Sequence, residues 1–180
     1  MTEPQLESPP LIHTLRQRTG VVRARGTYLT ITLEAIRAGE VILTVRGEEV
    51  RQPSRTSVQV GEEVHIEVPT GVTLAHTMDT YHWRFLNHSC EPAGYFRGRE
   101  LVALRDLPAW TQVTFDYDTT EYELAEPFLC ECGSPSCRGE LVQGFRHLDP
   151  AGQRRRLPHL ATHLRRLLQP GAPGNSAHRA

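Results

Sequence analysis

The sequence predicts a mostly β domain of many short strands, followed by a C-terminal amphipathic helix. Three observations predict it. β-Branched and aromatic residues recur in short runs, several of which alternate with polar residues. Glycine-containing turns separate those runs. After position 150 the leucines change to a helical spacing, with arginines between them. The chain has 180 residues, 38% of them hydrophobic, which suits one globular domain with its own core.

In chain order, residues 1–10 are proline-rich and acidic and read as a flexible tail. Val21 to Leu33 is rich in β-branched residues and reads as one strand. Glu40 to Arg46 is a second strand, stopped at Gly47. Ser57–Val60 and Glu63–Val68 are strands joined across Gly61-Glu62 as a hairpin. Tyr95-Phe96 and Leu101–Leu104 flank Arg97-Gly98-Arg99-Glu100, a second hairpin. Gln112 to Tyr117 is a further strand after a turn at Pro108. Asp149 and Pro150 form an N-cap and first-turn pair. Leu157, Leu160, Leu164, Leu167 and Leu168 then mark the apolar face of a helix that Pro158 breaks or restarts. Arg154, Arg155, Arg156, Arg165 and Arg166 read as its solvated face. Residues 169–180 read as a second flexible tail.

A formal charge of −1 gives no global field toward nucleic acid or an anionic membrane, so neither is expected as a specific partner. No apolar run approaches the length that spans a bilayer, and the N-terminus does not resemble a signal peptide. A cytoplasmic, reducing setting is the expectation. All 20 basic residues are arginine, so the protein has no lysine side chain of its own to modify.

The four cysteines are distributed unevenly. Cys90 stands in a polar loop, and Cys130, Cys132 and Cys137 cluster further on. In a reducing setting such a set binds metal more often than it pairs. Four thiolates at one point make a closed tetrahedral zinc site, which is structural and would tie the C-terminal arm to the Asn87-His88 loop. Two disulfides or four inert thiols are the alternatives.

Arg84-Phe85-Leu86-Asn87-His88-Ser89-Cys90-Glu91-Pro92 resembles the signature of SET-domain protein lysine methyltransferases. Val113-Thr114-Phe115-Asp116-Tyr117 resembles the family's second signature, and Cys130-Glu131-Cys132 with Cys137-Arg138-Gly139 is similar to its post-SET zinc segment. Ile36-Arg37-Ala38-Gly39-Glu40-Val41-Ile42 matches the family's first turn and strand. The combination is far more specific than any one piece. It implies a SET fold of short-stranded sheets with a pseudoknotted C-terminal segment. Its divisions are a SET domain over 11–128, a post-SET zinc segment over 129–146 and a helical extension over 147–168. It also implies S-adenosylmethionine as methyl donor, structural zinc, and a lysine-containing protein as acceptor.

By the same resemblance Tyr117 is the catalytic tyrosine. Asn87, His88, Gly26 and Tyr117 would contact the donor, and Leu141, or else Phe145, would close over it. Phe115 and Val45 would line the lysine channel, and Cys90, Cys130, Cys132 and Cys137 would hold zinc. Thr27 and Leu29 stand where the family has Gly-x-Gly, with Gly26 the nearest glycine. Val45 stands where the family often has tyrosine, and Pro92-Ala93 replaces its Pro-Asn.

Methyl transfer to lysine is a displacement at carbon that needs a neutral amine, whose solution pKa is about 10.4. An apolar channel and the donor's positive sulfur both favour loss of that proton. Strand periodicity puts Phe115 and Tyr117 on one face and Asp116 on the other. Two rival readings are a catalytically weak or inactive SET-like module that binds a partner protein, and a zinc protein that binds nucleic acid through its C-terminal arginines.

Overall fold

A computed structural model describes residues 17–24, 26–137 and 139–169. The predicted tails at 1–10 and, from 170 on, at 169–180 lie outside them. Strands β1 (Thr19–Ala24) and β2 (Thr27–Thr32) form an antiparallel hairpin with Val21 opposite Thr30. The single strand expected from Val21 to Leu33 is therefore two. The chain reverses at Gly26, whose φ of +82° is open to glycine without a steric penalty.

Next come β3 (Val41–Thr44), β4 (Glu48–Val50), β5 (Val58–Gly61) and β6 (Val64–Glu67). The last three make a sheet in the order β4-β6-β5. Gly47 ends the β3 run where the backbone passes hard against β6; a Cβ there would collide with the carbonyl oxygen of Glu67. A short helix α1 (Leu74–Thr80) begins at Thr73, whose hydroxyl accepts from the His76 N–H. One 3-10 turn over His82–Phe85 leads into β7 (Asn87–His88).

Strands β8 (Gly94–Arg97) and β9 (Glu100–Ala103) are the second expected hairpin, and β9 also pairs with β3. Strand β10 is confined to Thr114–Phe115 and runs parallel to β7, with Thr114 opposite Asn87 and Phe115 opposite His88. The longer strand expected to Tyr117 stops early because the Asp116 carboxylate accepts from the Asp118 N–H and caps a 3-10 turn over Tyr117–Thr119.

Two-residue strands β11 (Phe128–Leu129) and β12 (Leu141–Val142) pair across the cysteine segment. Helix α2 (Pro150–Arg156) opens at the predicted Asp149 cap, which accepts from Gly152 N–H at 2.5 Å. Pro158 interrupts it with a 3-10 turn over Leu157–His159, and α3 (Thr162–Leu167) follows.

The main core gathers Ile36, Ile42, Val45, Ile66, Leu101, Leu107, Val113 and Phe115 from three of the five small sheets among the described residues and the turns around them. A separate cluster of Phe145, Leu160 and Leu164, with Leu148 and Leu167 at its edge, seats the C-terminal helices. Burying each of these side chains is worth roughly 1.5–3 kcal/mol. Among the described residues, no helix is long and apolar enough to cross a membrane.

Candidate active site

The parallel pairing of β7 with β10 brings the two sequence signatures side by side at the floor of a cleft of ≈ 1270 Å³. Asn87, His88, Phe115 and Tyr117 line it, together with Tyr28 and Leu29 from β2 and Phe128 and Cys130 from the C-terminal arm. The cleft is thus closed by segments more than a hundred residues apart in sequence.

Tyr117 leaves β10 as that strand gives way to the 3-10 turn, which aims its ring into the cleft floor. Its hydroxyl donates to the Leu86 carbonyl at 2.8 Å. Its ring lies 4.6 Å from that of Phe115, in contact, so the two share a face as the strand periodicity predicts. The rings of His88 and Phe128 meet it edge-on at 5.4 and 5.9 Å. Burial, reinforced by the Glu121 carboxylate, pushes the Tyr117 phenol well above its usual range, so it stays protonated.

His88 is buried with a defined tautomer. Its Nδ1 accepts the Tyr117 N–H at 3.2 Å, which leaves the proton on Nε2, 3.6 Å from the Cys90 sulfur. Burial, opposed by Asp118 and reinforced by Arg156, lowers its pKa to about 4. His88 is therefore neutral at neutral pH, and its 3.7 Å approach to Asp116 is not an ion pair there. Asn87 is half-buried, and its amide nitrogen donates to the Tyr28 carbonyl at 3.4 Å.

The four cysteines come together. Their sulfurs lie within 4.8 Å of one another, with Cys90–Cys130 at 3.7 Å and Cys130–Cys137 at 3.5 Å. None is in a disulfide. Zinc–sulfur bonds of about 2.3 Å in a tetrahedron put the sulfurs about 3.8 Å apart. The cluster therefore has the spacing of a four-thiolate metal site. Desolvation works against the Cys132 thiolate, yet N–H donation from Cys90 and contacts with Ser134 hold its pKa down at about 6. Burial and neighbouring sulfurs push the Cys90 and Cys130 thiols up instead, so Cys132 is the sulfur of the three that gives up its proton most readily.

Other residues singled out from the sequence stand elsewhere. Gly26 sits at the β1–β2 turn and does not line the cleft, whereas Thr27 and Leu29 do. Val45 is fully buried in the main core, with its N–H donated to Arg99, and is not on the cleft wall. Leu141 is half-exposed on β12, and Phe145 is buried in the C-terminal cluster. Neither lines the cleft.

Two side chains gained importance only in three dimensions. Glu121 is 4% exposed, lines the cleft, and accepts the Gln59 N–H at 2.9 Å. Arg156, expected on a solvated face, turns inward instead. It donates to Asp116 at 2.8 Å and Asp118 at 3.1 Å, while Arg154, Arg155, Arg165 and Arg166 are exposed as expected. No signal in the run Arg154-Arg155-Arg156 marks its last member as different.

Comparison with known proteins bears on this cleft. Residues 28–118 match the model of the SET domain. A histone-lysine N-methyltransferase, H3 lysine-4 specific, of Eremothecium gossypii is 30% identical over 125 residues, covering 61% of this chain and 13% of that protein. The Saccharomyces cerevisiae protein of the same description is 30% identical over 125 residues, covering 61% and 12%. Methyltransferase flvH of Aspergillus flavus is 33% identical over 98 residues, covering 52% and 48%. This chain thus spans about an eighth of the length of the first two and about half of the third.

Proposed function

The chain belongs to the SET-domain family, and from that premise we propose that it transfers methyl groups from S-adenosylmethionine to the side-chain amine of a lysine in another protein. The observation that carries this reading is the meeting of Tyr117, Asn87 and the cysteine cluster on one cleft. The relatives' description as lysine methyltransferases supports the acceptor class.

The cleft is roomy enough for a nucleoside-sized donor and a peptide segment together. When bound, the donor supplies an electrophilic methyl group on a positively charged sulfur. Asn87, whose amide reaches Tyr28 across the cleft, holds that end of the site together. Tyr117 has its only hydroxyl proton committed to Leu86, so its oxygen faces the reaction as an acceptor. An acceptor there orients the incoming amine or the polarised methyl. Phe115 supplies apolar wall beside it, which favours the neutral amine. A buried, protonated phenol is not a base, so the acceptor's proton leaves to solvent, and alignment supplies most of the rate.

Cys90, Cys130, Cys132 and Cys137 would hold a structural zinc ion in this reading, since their spacing and number leave no open position. The ion would fix Phe128 and Cys130 as one wall of the cleft. His88 would then donate from Nε2 to a ligating thiolate while holding the Tyr117 backbone through Nδ1.

A catalytically weak or inactive binding module is the second reading. It is favoured by the side chains of Thr27 and Leu29 on the cleft wall, where the family has bare backbone. Turnover with radiolabelled S-adenosylmethionine on lysine-containing protein extract decides between them. Label on lysine that vanishes with Tyr117→Phe supports the enzyme; donor binding without label on any pool supports the module.

A further inference from the structure

The segment after residue 118 lies beyond the SET-domain match, yet it grips the turn that carries Tyr117. We propose that Arg156, at the end of α2, is a positioning residue for Tyr117, clamping the two carboxylates that flank it; the proposal rests on the methyl-transfer reading above.

Asp116 and Asp118 stand on either side of Tyr117. Arg156 donates from Nε to Asp116 Oδ2 at 2.8 Å and from Nη2 to Asp118 Oδ2 at 3.1 Å. The side chains of Asp116 and Asp118 are 10% and 6% exposed, and that of Arg156 is 19% exposed, so water screens these charges little. Each carboxylate is also committed on its second oxygen. Asp116 Oδ1 caps the turn through the Asp118 N–H at 3.1 Å. Asp118 Oδ1 accepts the Gly144 N–H at 3.0 Å.

The grip continues along the turn. Thr119 O accepts the Ala161 N–H at 2.8 Å, and Thr120 O accepts from His163 Nε2 at 2.8 Å. The outer side of the Asp116–Thr120 turn is thus bonded to the C-terminal extension, while the Tyr117 ring faces the cleft.

Two buried carboxylates two residues apart repel each other. A planar guanidinium offsets part of that repulsion by donating to both and fixes the spacing between them, which a point charge on a flexible stem does less well. Without it the turn keeps its remaining bonds, but the two carboxylates lose the group that draws them together, and the geometry they impose on Tyr117 relaxes. A misplacement of about 1 Å at the reacting groups costs on the order of 100-fold in rate. Arg156 is not part of the Phe145–Leu160–Leu164 cluster that seats the helices, so its loss leaves that packing in place.

The test compares Arg156→Ala and Arg156→Lys in the full, zinc-loaded chain. Steady-state rates are measured with S-adenosylmethionine and a protein that the wild type modifies, and hydrogen–deuterium exchange is followed on the same samples. Arg156→Ala is expected to lower kcat by on the order of 10- to 100-fold, with the KM for the donor unchanged. Arg156→Lys should recover part of that loss. Exchange over 116–121 should quicken, while the β8–β9 hairpin stays protected. Undiminished kcat in Arg156→Ala overturns the proposal. So does a loss that lysine does not relieve and that accompanies faster exchange throughout, which would mark a merely structural role. A wild type that modifies no protein contradicts the methyl-transfer reading instead. The exchange arm then still decides the clamp, since unchanged exchange over 116–121 in Arg156→Ala refutes it.

Discussion

The Tyr117 hydroxyl donates to the backbone carbonyl of Leu86 at 2.8 Å, tying the end of one signature to the start of the other. Leu86 immediately precedes Asn87 on β7, and Tyr117 leaves β10, so the bond spans the parallel pair at the cleft floor. It commits the phenol's proton to that carbonyl, so toward any other partner the oxygen is an acceptor. Tyr117→Phe keeps the ring stacked on Phe115 but removes the oxygen. The expected outcome is a folded protein about 1 kcal/mol less stable, from the lost bond. Its donor affinity should be unchanged and its turnover lower by on the order of 10²–10³. Calorimetric binding beside a turnover assay checks this, and full activity in a donor-binding variant would remove the hydroxyl from the mechanism.

Turnover should rise with pH through the alkaline range. The acceptor amine must be neutral, and its solution pKa is about 10.4. Tyr117 is pushed above its ordinary value by burial, so its ionisation does not cut the rise short. A rate profile flat from neutral pH upward would mean that a step other than amine deprotonation controls the rate.

Asn87→Ala removes the amide that donates to Tyr28 across the cleft. Donor affinity is expected to weaken by roughly 1–3 kcal/mol, the cost of polar partners left unmet. Titration of S-adenosylmethionine into both proteins measures it. Equal affinity would place the donor elsewhere in the cleft.

Cys132→Ser tests the metal. One zinc ion per chain is expected in the wild type, and its loss should lower stability, because metal-binding energy is folding energy at such a site. The change should be felt first in the β11–β12 arm, which the cluster joins to Cys90. Elemental analysis with a melting curve reads both, and wild-type protein that holds no zinc without chelators present would refute the assignment.

Much of this site was legible in the sequence because motif residues keep their spacing while the fold closes around them. Cys90 and the later cysteines do meet, and Phe115 and Tyr117 do share a face. The hairpins at Gly61-Glu62 and Gly98 were legible from turn residues between alternating runs. The reversal at Gly26 was not, since β-branched residues continue on both sides and no Asn-Gly or Asp-Gly pair marks it. Helix α1 was missed because seven residues show too little of a helical period. Arg156 was missed for another reason. Which arginine of three turns inward depends on how Leu160 and Leu164 seat the helices, a tertiary choice that local sequence does not record.

Glu121 carries the last prediction. The residue is 4% exposed, and among the described residues no arginine forms an ion pair with its carboxyl. His65 Nε2 lies 4.0 Å away, but its own pKa is lowered by burial, so it stays neutral. Burial pushes the Glu121 pKa up to about 8, with the Gln59 N–H pulling the other way. The unfolded chain releases that proton near pH 4.5, the ordinary value. At pH below both values the two states bind the proton equally, and the buried acid costs nothing extra. Between them the folded state keeps a proton that the unfolded state has lost, so this residue's contribution to stability falls as pH rises. The slope is about 1.4 kcal/mol per pH unit at most. Above about 8 both states are ionised and the loss is complete. Glu121→Gln keeps an oxygen for the Gln59 N–H and does not titrate. The variant should therefore gain on the wild type in melting temperature from roughly pH 4.5 to 8, and the gap should level off above that range. Melting curves of both zinc-loaded proteins across the range measure it, and a gap independent of pH would mean that Glu121 is already ionised in the folded protein, with His65 protonated beside it.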